Sequence, residues 1–254
     1  MARILAIINQ KGGVGKTTTA LNLGAALAQT GKRVILLDLD PRADLTSYLG
    51  LRPVAGQETI YESLFGDGPP PGELLQPLKP QHLYAVPGSP NLVGAEMLLM
   101  QSTAAERFAR STAKLQSLQE AADFILIDSP PGLQMLSLCA LSAAREVIIP
   151  QQCSFLALHG LRQITENIER MRQANPALRL AGILLTMQDR RTVHNREVIA
   201  MVREAFGQAV FTPVIPLSVR YQEAAAAGQP ICLYAPGSRQ AEAYAEVARE
   251  LLKR

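Results

Sequence analysis

The stretch that decides the fold is NQKGGVGKTTTA, residues 9–20, which lies between a short apolar run and a long helical pattern. A phosphate-binding loop usually reads G-x-x-x-x-G-K-[ST], and residues 15–17 supply the Gly-Lys-Thr that ends this pattern. Gln10 stands where the first glycine is expected, and a second lysine, Lys11, follows it. The stretch therefore predicts a P-loop that carries an additional lysine, five residues before the usual one.

Each residue type in this loop suits the binding of a nucleoside triphosphate. Gly12, Gly13 and Gly15 have no Cβ, so their backbone N–H groups can converge on phosphate oxygens. A helix that begins near Lys16 adds its positive N-terminal end. We expect Lys16 to reach the β- and γ-phosphates and the hydroxyl of Thr17 to ligate Mg²⁺. The nucleotide-binding residues predicted from the loop are Gly12, Gly13, Val14, Gly15, Lys16, Thr17 and Thr18.

The bulk composition indicates one globular domain. The chain has 254 residues, of which 48% are apolar and 19% charged, and this suits a single large α/β domain spanning residues 1–254. The sequence contains no apolar run long enough to span a membrane, and its opening run is too short and too strand-like for a signal peptide. We therefore expect a cytoplasmic protein that does not bind membranes.

Short apolar runs alternate with longer helical patterns along the chain. Strands are predicted at residues 3–9, 33–40, 124–131, 146–151, 179–187 and 209–216, and helices at residues 15–31, 156–174, 194–206 and 239–253. Residues 52–90 are less regular, and the Pro/Gly-rich residues 66–80 are predicted to form a surface loop. Continuous apolar strands separated by helices predict an α/β fold, a mainly parallel sheet of about seven to eight strands with helices on both faces.

Carboxylates stand at the ends of two predicted strands, where open α/β sheets place their ligands. Asp128 ends the run FILID and is expected to hold Mg²⁺ directly or through water. Asp40 ends VILLDLD, where it could orient or activate the attacking water and contribute to the metal site. Asp38, two residues earlier on the same strand face, is expected to have a supporting role or to be an ordinary hydrogen-bonded strand residue.

Three motifs in this order, KGGVGKTT, LLDLDP and LIDSPP, resemble the ParA/MinD family of deviant Walker A ATPases. The stretches GILLTMQDRRT and VIPLSVRYQEAAAAGQPI resemble its ParA/Soj branch, and the similarity extends over nearly the whole chain. The resemblance implies a single-domain P-loop NTPase fold, ATP and Mg²⁺ as cofactors and the hydrolysis of ATP. The sequence begins at its first strand, so we expect no N-terminal helix-turn-helix extension of the kind found in larger plasmid ParA proteins.

The resemblance also gives the additional lysine a role. It implies an ATP-dependent homodimer in which two subunits meet face to face and Lys11 reaches the partner's nucleotide. Lys11, Lys16 and Asp40 are then the predicted catalytic residues. A ParB-like protein or cargo adaptor is the expected partner, and it would stimulate slow hydrolysis so that a chromosome, plasmid or other cargo is segregated or positioned on the nucleoid.

Nonspecific binding of double-stranded DNA is the third implication of the resemblance, and it falls on Arg191 in DRRT and Arg220 in SVR, with Arg190 as a helper. The same resemblance places adenine near Met187 and Pro216. Between Arg162 and Arg220 the sequence carries nine arginines and five acidic residues. That excess alone fits either a nucleic-acid footprint or a solvated helix face.

Three positions depart from the pattern of the branch. The usual Pro-Gln-Gly/Ala-Asn after the second strand is Pro-Arg-Ala-Asp at residues 41–44, and the usual Glu-Ala-Pro-Ser is Glu-Ala-Ala-Ala at residues 223–226. An Asn in the helix after Asp128 is replaced by Cys139. None of these positions is a predicted catalytic residue, but they bear on how a partner stimulates the enzyme and on which cargo it moves.

A MinD-like, membrane-associated ATPase that positions cell-division machinery or organelles is the first alternative. It would share the catalytic motifs and add a basic amphipathic tail after the last core helix. The last helical pattern here, residues 239–253, has small apolar residues suited to docking on the sheet.

A redox partner resembling the nitrogenase iron protein is the second alternative, because that relative carries the same deviant loop. It bridges a [4Fe–4S] cluster across a dimer with two cysteines from each subunit. Cys139 and Cys153 lie in the right general region, but neither has a Cys-Gly-Gly setting. With Cys232 they are expected to be buried, reduced thiols.

Overall fold

A single seven-stranded sheet organises the computed structural model, which describes residues 1–54, 56–103, 106, 108–154 and 156–254. The strands are β1 (Arg3–Ile7), β2 (Val34–Asp38), β3 (Gln76–Pro77), β4 (Leu83–Val86), β5 (Phe124–Asp128), β6 (Glu146–Gln152) and β7 (Arg179–Thr186). They lie in the order β3-β4-β2-β5-β1-β6-β7, and every neighbouring pair is parallel except the antiparallel edge pair β3 and β4. The predicted α/β class and mainly parallel sheet are confirmed.

Eleven α-helices connect and flank the strands within the described ranges. They are α1 (Lys16–Gln29), α2 (Asp44–Tyr48), α3 (Ile60–Phe65), α4 (Leu92–Gln101), α5 (Ala109–Gln116), α6 (Met135–Ala143), α7 (Ala157–Met171), α8 (Val193–Phe206), α9 (Arg220–Ala226), α10 (Ile231–Tyr234) and α11 (Arg239–Leu251). Short 3₁₀ turns occupy Pro71–Leu74, Ser117–Glu120 and Gly207–Ala209. The four helices predicted from the sequence are all present, and each of their ends lies within three residues of the prediction.

The sheet separates two apolar cores because successive strand residues point to opposite faces. Ile4 and Ile125 face a core shared with α3 to α8, whereas Leu5 and Leu126 face a core shared with α1, α2 and α9 to α11. All four side chains are fully buried. Strands that are buried on both faces need apolar residues at every position, and this is why they read as continuous runs in the sequence.

One predicted strand is wrong. Residues 209–216 run beside β7 but do not form a strand, and they pair only through isolated bridges, from Val210 to Ile183 of β7 and from Pro216 to Gln188 just after it. Pro213 and Pro216 have no N–H group to donate to a ladder, so regular pairing cannot extend through the segment. It is instead fixed by spaced backbone bonds, such as the one from Phe211 N–H to the Ile183 carbonyl at 2.9 Å.

The irregular segment at residues 52–90 contains more structure than predicted. It includes α3, a 3₁₀ turn, β3 and β4, while residue 55 lies outside the described residues. The expected surface loop at residues 66–80 therefore ends in an edge strand. The four residues of β4 are too few for alternation or composition to mark them as a strand.

The topology brings the ends of three central strands to one edge of the sheet. Strand β5 lies between β1 and β2, and Asp128 pairs in register with Ile7 on one side and Asp38 on the other. The loop that follows β1 and the segment that follows β2 therefore emerge next to the end of β5. This is the edge at which open α/β sheets bind ligands.

We predict that Gly182→Ala destabilises the fold by about 1–3 kcal/mol, because overpacking a well-filled core forces displacement. An added Cβ on this β7 residue would lie 2.5 Å from the ring of Phe211, which is fully buried. The guanidinium of Arg254 stacks on that ring at 4.3 Å and limits its movement. Urea denaturation measures the change.

Gly160→Ala is the matched control, because Gly160 lies inside α7 and an added Cβ would meet only the Gln151 side chain at 3.9 Å. Alanine should stabilise that helix by up to about 1 kcal/mol. Equal effects of the two substitutions would contradict the packing described at Phe211.

Candidate nucleotide-binding site

The predicted P-loop lies between β1 and α1 and is anchored at its start by Asn9. The buried Asn9 side chain donates from Nδ2 to the Pro150 carbonyl at 2.7 Å, which ties the loop to the end of β6. Asn9 Oδ1 accepts a hydrogen bond from the Lys11 N–H at 2.9 Å. The Gly132 N–H donates to the Gln10 carbonyl at 3.1 Å, so the segment after β5 supports the same turn.

Glycines shape the middle of the loop. Gly13 and Gly15 have φ values of 72° and 91°, which only glycine adopts without strain. A Cβ at Gly12 or Gly13 would meet no atom within 4 Å, so the backbone is open on the side where a ligand would approach. Val14 is buried below, and its carbonyl accepts from the Thr186 hydroxyl at 2.9 Å. Gly15 is the N-cap of α1, so the positive end of the helix opens onto the loop.

The two lysines occupy different environments. Lys16 is 7% exposed, and its Nζ donates to the Lys11 carbonyl at 3.1 Å. Burial lowers the pKa of Lys16, while Asp128 and Asp40 oppose that shift. Lys11 projects its side chain into solvent. Of the two lysines, only Lys16 has a side chain that is hydrogen-bonded within its own loop.

The structure places Asp128 directly beneath the loop. Its carboxylate is fully buried, and neither oxygen has a hydrogen-bond partner of normal geometry within the described residues. Burial, followed by the nearby Asp38 carboxylate, raises the pKa of Asp128 well above its usual range, while the Thr17 hydroxyl and the Lys16 ammonium oppose the shift. Because burial of an unpaired carboxylate is costly, this residue is poised to face a cation.

Asp38 is the centre of a buried hydrogen-bond network. Its Oδ2 accepts from the Thr46 hydroxyl at 2.6 Å and from the Thr46 N–H at 2.8 Å, and its Oδ1 accepts from the Asp40 N–H at 3.2 Å. The Thr46 hydroxyl in turn accepts from the Gly88 N–H at 2.8 Å. Burial raises the pKa of Asp38 to about 6, and these donors oppose the shift. The network fixes both ends of the segment that carries Asp40.

A cavity of about 320 Å³ opens above these residues. Its walls include the loop residues Gly12, Gly13, Gly15, Lys16, Thr17 and Thr18, together with Asp40, Met187 and Pro216. The structure therefore brings the predicted phosphate-binding residues and both predicted adenine neighbours into one space. Asp128 is close to Lys16 and Thr17 but is not among the residues that line the cavity.

Several further wall residues were not predicted from the sequence, among them Arg42, Tyr48, Thr186 and Tyr221. Tyr221 contacts Tyr244 edge to face, with ring centroids 6.0 Å apart, and both tyrosines line the cavity. Their aromatic rings offer apolar contact surface to the base of a nucleotide. Arg42 could have been noticed in the sequence, because it departs from the motif of the branch. Tyr221 and Tyr244 lie on helices far along the chain, so no local pattern indicates that they line this cavity.

The protein oxygen atoms at this site could hold Mg²⁺ only together with a bound phosphate. No group of three or more His, Cys, Asp and Glu side chains that could hold a metal ion occurs among the residues that the structure describes. Mg²⁺ prefers octahedral oxygen ligation and in phosphate sites takes only one or two protein carboxylates. The unpartnered oxygens of Asp128, the adjacent Thr17 hydroxyl and a phosphate bound at the loop would satisfy that preference.

The predicted DNA-binding arginines lie on two neighbouring loops at the same edge of the sheet. A bridge between Gln188 and Pro216 joins the segments, so Arg190, Arg191 and Arg220 are all exposed in one region. Arg191 pairs with Asp189 through two hydrogen bonds of 3.0 and 2.9 Å and keeps 88% of its side chain exposed. Arg239, which sequence reasoning missed, lies close enough to Arg190 for the two charges to repel.

The cysteines are placed as core residues, with one exception. Cys139 and Cys153 are buried, and burial raises the pKa of each thiol to about 11. The Cys139 thiol donates to the Ser111 hydroxyl at 3.1 Å. A cluster shared between two subunits could not reach thiols in this position. Cys232 is only partly buried, which corrects the expectation for that residue.

Helix α11 packs into the core of the sheet. Tyr244, Val247 and Leu251 are fully or almost fully buried in the core that α11 shares with α1. This confirms that the last helical pattern docks on the sheet. Among the described residues, no helix has the length and apolarity needed to cross a membrane.

Comparison with known proteins agrees with this geometry. Residues 2–180 match the family model described as an AAA domain, and residues 136–254 match the model of 4Fe-4S iron sulfur cluster binding proteins of the NifH/frxC family. The chromosome partitioning protein ParA of Myxococcus xanthus is 44% identical over 100% of this chain and 89% of its own length. The sporulation initiation inhibitor protein Soj of Bacillus subtilis is 40% identical over 99% of this chain and 98% of its own length.

A solved structure gives the same fold. Cobyrinic acid a,c-diamide synthase from Mycobacterium smegmatis, with bound ADP and magnesium, has a TM-score of 0.85 and 37% identity, covering 100% of this chain and 95% of that one. A parallel sheet, a Gly-rich loop before α1 and a carboxylate at the end of β5 define a P-loop ATPase.

The chain belongs to the ParA/MinD family of these ATPases, in its ParA/Soj branch. Membership confirms the family predicted from the three motifs, and with it a Mg²⁺-dependent ATP hydrolase whose cofactors are ATP and Mg²⁺. The match to the NifH/frxC model covers under half of the chain, and the buried thiols give it no cluster site.

We predict that Thr46→Val lowers the free energy of unfolding by about 1–3 kcal/mol, because it leaves the buried Gly88 N–H without an acceptor and removes one of the three donors to Asp38. Valine has nearly the shape of threonine, so packing changes little. Urea denaturation measures the loss, and Thr46→Ser, which keeps the hydroxyl, should recover most of it. If serine is as destabilising as valine, the hydroxyl network is not what fixes this segment.

Proposed function

We propose that this protein is a ParA-type ATPase that dimerises when it binds ATP, binds DNA nonspecifically as a dimer and is released after hydrolysis. The observation that carries the proposal is the separation of the two lysines. Lys16 is buried and bonded within its own loop, whereas the Lys11 side chain projects into solvent from the same loop. One lysine can bind the nucleotide in its own subunit while the other is free to meet a second subunit.

Binding of ATP with Mg²⁺ follows from the charges around the cavity. The backbone of Gly12 to Gly15 and the N-terminus of α1 would bind phosphate oxygens, with the Lys16 ammonium beside them. The Thr17 hydroxyl and the Asp128 carboxylate would hold Mg²⁺, directly or through water, and Asp40 is near enough to contribute. The metal supplies positive charge against the β- and γ-phosphates. Met187, Pro216 and the aromatic wall would contact adenine.

Asp40 is the residue that we assign to the attacking water. Its backbone is bonded to the buried Asp38, and its Oδ1 accepts from the Arg42 N–H at 3.0 Å. These bonds hold the carboxylate in the wall of the cavity, 6% exposed, where it can orient a water molecule against the terminal phosphate. Hydrolysis would be slow until a ParB-like or cargo-adaptor protein completes the site.

Binding of DNA would use the exposed arginines near the nucleotide. Arg190, Arg191 and Arg220 lie on loops that adjoin Met187 and Pro216, so a dimer formed around ATP would place two such groups together. Contacts of this kind are made to phosphates, and they give sequence-independent, strongly salt-dependent affinity. We therefore propose a cytoplasmic protein that acts on the nucleoid, as a single domain over residues 1–254, to segregate or position a chromosome, plasmid or other cargo.

A MinD-like membrane ATPase receives no specific support from the structure. Helix α11 has its apolar face in the core and not free for a lipid surface. The name of the synthase from Mycobacterium smegmatis indicates a different use of the same fold, but that protein is less similar to this chain than the partitioning protein of Myxococcus xanthus, at 37% against 44% identity.

We predict that Lys11→Ala abolishes the ATP-dependent dimer, because the charge that reaches the partner's nucleotide is removed while Lys16 remains in place. Sedimentation velocity with Mg²⁺ and a non-hydrolysable ATP analogue measures the dimer, and a fluorescent nucleotide shows whether each monomer still binds. Lys32→Ala removes another exposed lysine from the opposite edge of the sheet and should leave the dimer intact. A Lys11→Ala protein that still sediments as a tight dimer would exclude the assignment.

We predict that Arg191→Glu combined with Arg220→Glu reduces retention on double-stranded DNA at least tenfold and leaves the ATP dimer unchanged, because the exposed guanidinium groups would contact phosphates. Fluorescence anisotropy with unrelated duplexes at several salt concentrations measures the affinity. Lys32→Glu with Lys253→Glu changes net charge equally at the other edge and is the control. If both double variants weaken binding alike, net charge, and not this surface, governs the interaction.

A further inference from the structure

Arg42 is a charged wall residue of the cavity that the functional motifs do not explain. The related motif has Gln at this position, and the arginine follows the strand-end residue Asp40 by two positions. Its side chain lines the same cavity as Gly13, Lys16 and Thr17. Arg42 therefore adds a positive charge to the cavity that contains the predicted phosphate-binding loop.

The backbone around Arg42 holds it at the cavity. The Arg42 N–H donates to Asp40 Oδ1 at 3.0 Å, and Ala43 has a φ of 51°, which turns the chain sharply into α2. The far end of this segment is fixed by the hydrogen bonds from Thr46 to the buried Asp38. The backbone of Arg42 is thus anchored on both sides, while its long side chain remains able to move.

The present partner of the guanidinium is weakly held. Arg42 forms an ion pair with Asp44 at 2.7 Å, in which 71% of the arginine side chain and 30% of the aspartate side chain are exposed. Exposed ion pairs contribute little to stability, because water screens the charges and ordering the side chains costs entropy. An anion with more charge than one carboxylate would compete for this arginine.

Arg42 and Lys16 line the same cavity but come from different segments, Lys16 from the start of α1 and Arg42 from the turn before α2. Two cationic side chains therefore share the cavity that contains the predicted phosphate-binding loop. Such an arrangement is unfavourable when the cavity holds only water and becomes favourable when a polyphosphate lies between the two charges.

We propose that Arg42 is a further nucleotide-binding residue, whose guanidinium leaves Asp44 and binds the terminal phosphate of ATP in its own subunit. The terminal phosphate is the target because Asp40, which is bonded to the Arg42 backbone, is the residue assigned to the water that attacks it. The proposal rests on the proposed function, since it requires that the cavity binds ATP. Its consequence is that the protein distinguishes ATP from ADP through this arginine.

The test compares the affinities of Mg²⁺ with a non-hydrolysable ATP analogue and of Mg²⁺ with ADP, by displacement of a fluorescent nucleotide. Arg42→Gln, the residue of the related motif, should weaken the ATP analogue about tenfold and change ADP less than twofold, because one charge-assisted contact to the terminal phosphate is lost. Arg42→Lys keeps the charge without the planar fork and should give an intermediate loss. Arg52→Gln, an exposed arginine outside this cavity, is the control and should change neither affinity.

The outcomes separate the two proposals. A wild-type protein that binds neither nucleotide would overturn the proposed function and, with it, the role of Arg42. If wild type binds both but Arg42→Gln leaves the ratio of the two affinities unchanged, only the assignment of Arg42 to the terminal phosphate fails. An equal loss for ATP and ADP would likewise overturn it, since the arginine would then contact a phosphate that both nucleotides share.

Discussion

The buried carboxylate of Asp128 is the constraint on which the rest of the site depends. It ends the central strand β5, in register with Asp38, and two neighbouring acids with little access to water repel each other. Three donors compensate Asp38, but Asp128 has no hydrogen-bond partner of normal geometry among the described residues. The Lys16 ammonium and the Thr17 hydroxyl relieve it only in part. Burial therefore favours the protonated acid at Asp128, and a cation with a phosphate ligand would replace that proton.

Around Asp128 the backbone segments are fixed by hydrogen bonds, whereas some of their long side chains are free to move. Asn9 and the glycines fix the backbone of the loop, and the contacts among Asp38, Thr46 and Gly88 fix the segment after β2. These fixed segments carry two long, exposed side chains, Lys11 and Arg42. A site built in this way can respond to a nucleotide by moving side chains, without unfolding any element.

Much of this could be predicted from the sequence because the signals are local. Strands buried on both faces read as apolar runs, and a P-loop is one continuous motif, so β1, the loop and α1 were recognised together. The strand predicted at residues 209–216 is wrong because an apolar, β-branched composition does not reveal that prolines interrupt the pairing. The hydrogen bond between Thr46 and Gly88 joins residues 42 positions apart and was invisible for that reason. The role proposed for Lys11 comes from the family resemblance, because no spacing rule could supply it.

We propose that the buried Asp128 carboxyl gives up its proton to hold the metal that accompanies ATP. Titration calorimetry of the wild-type protein and of Asp128→Asn, with a non-hydrolysable ATP analogue in the presence and absence of Mg²⁺, distinguishes this role from a purely structural one. The amide keeps the shape of the carboxylate but not its charge. We expect Mg²⁺ to strengthen nucleotide binding by the wild-type protein and no longer to do so in Asp128→Asn, which still binds the metal-free nucleotide. An undiminished gain from Mg²⁺ in Asp128→Asn would show that Asp128 does not hold the metal.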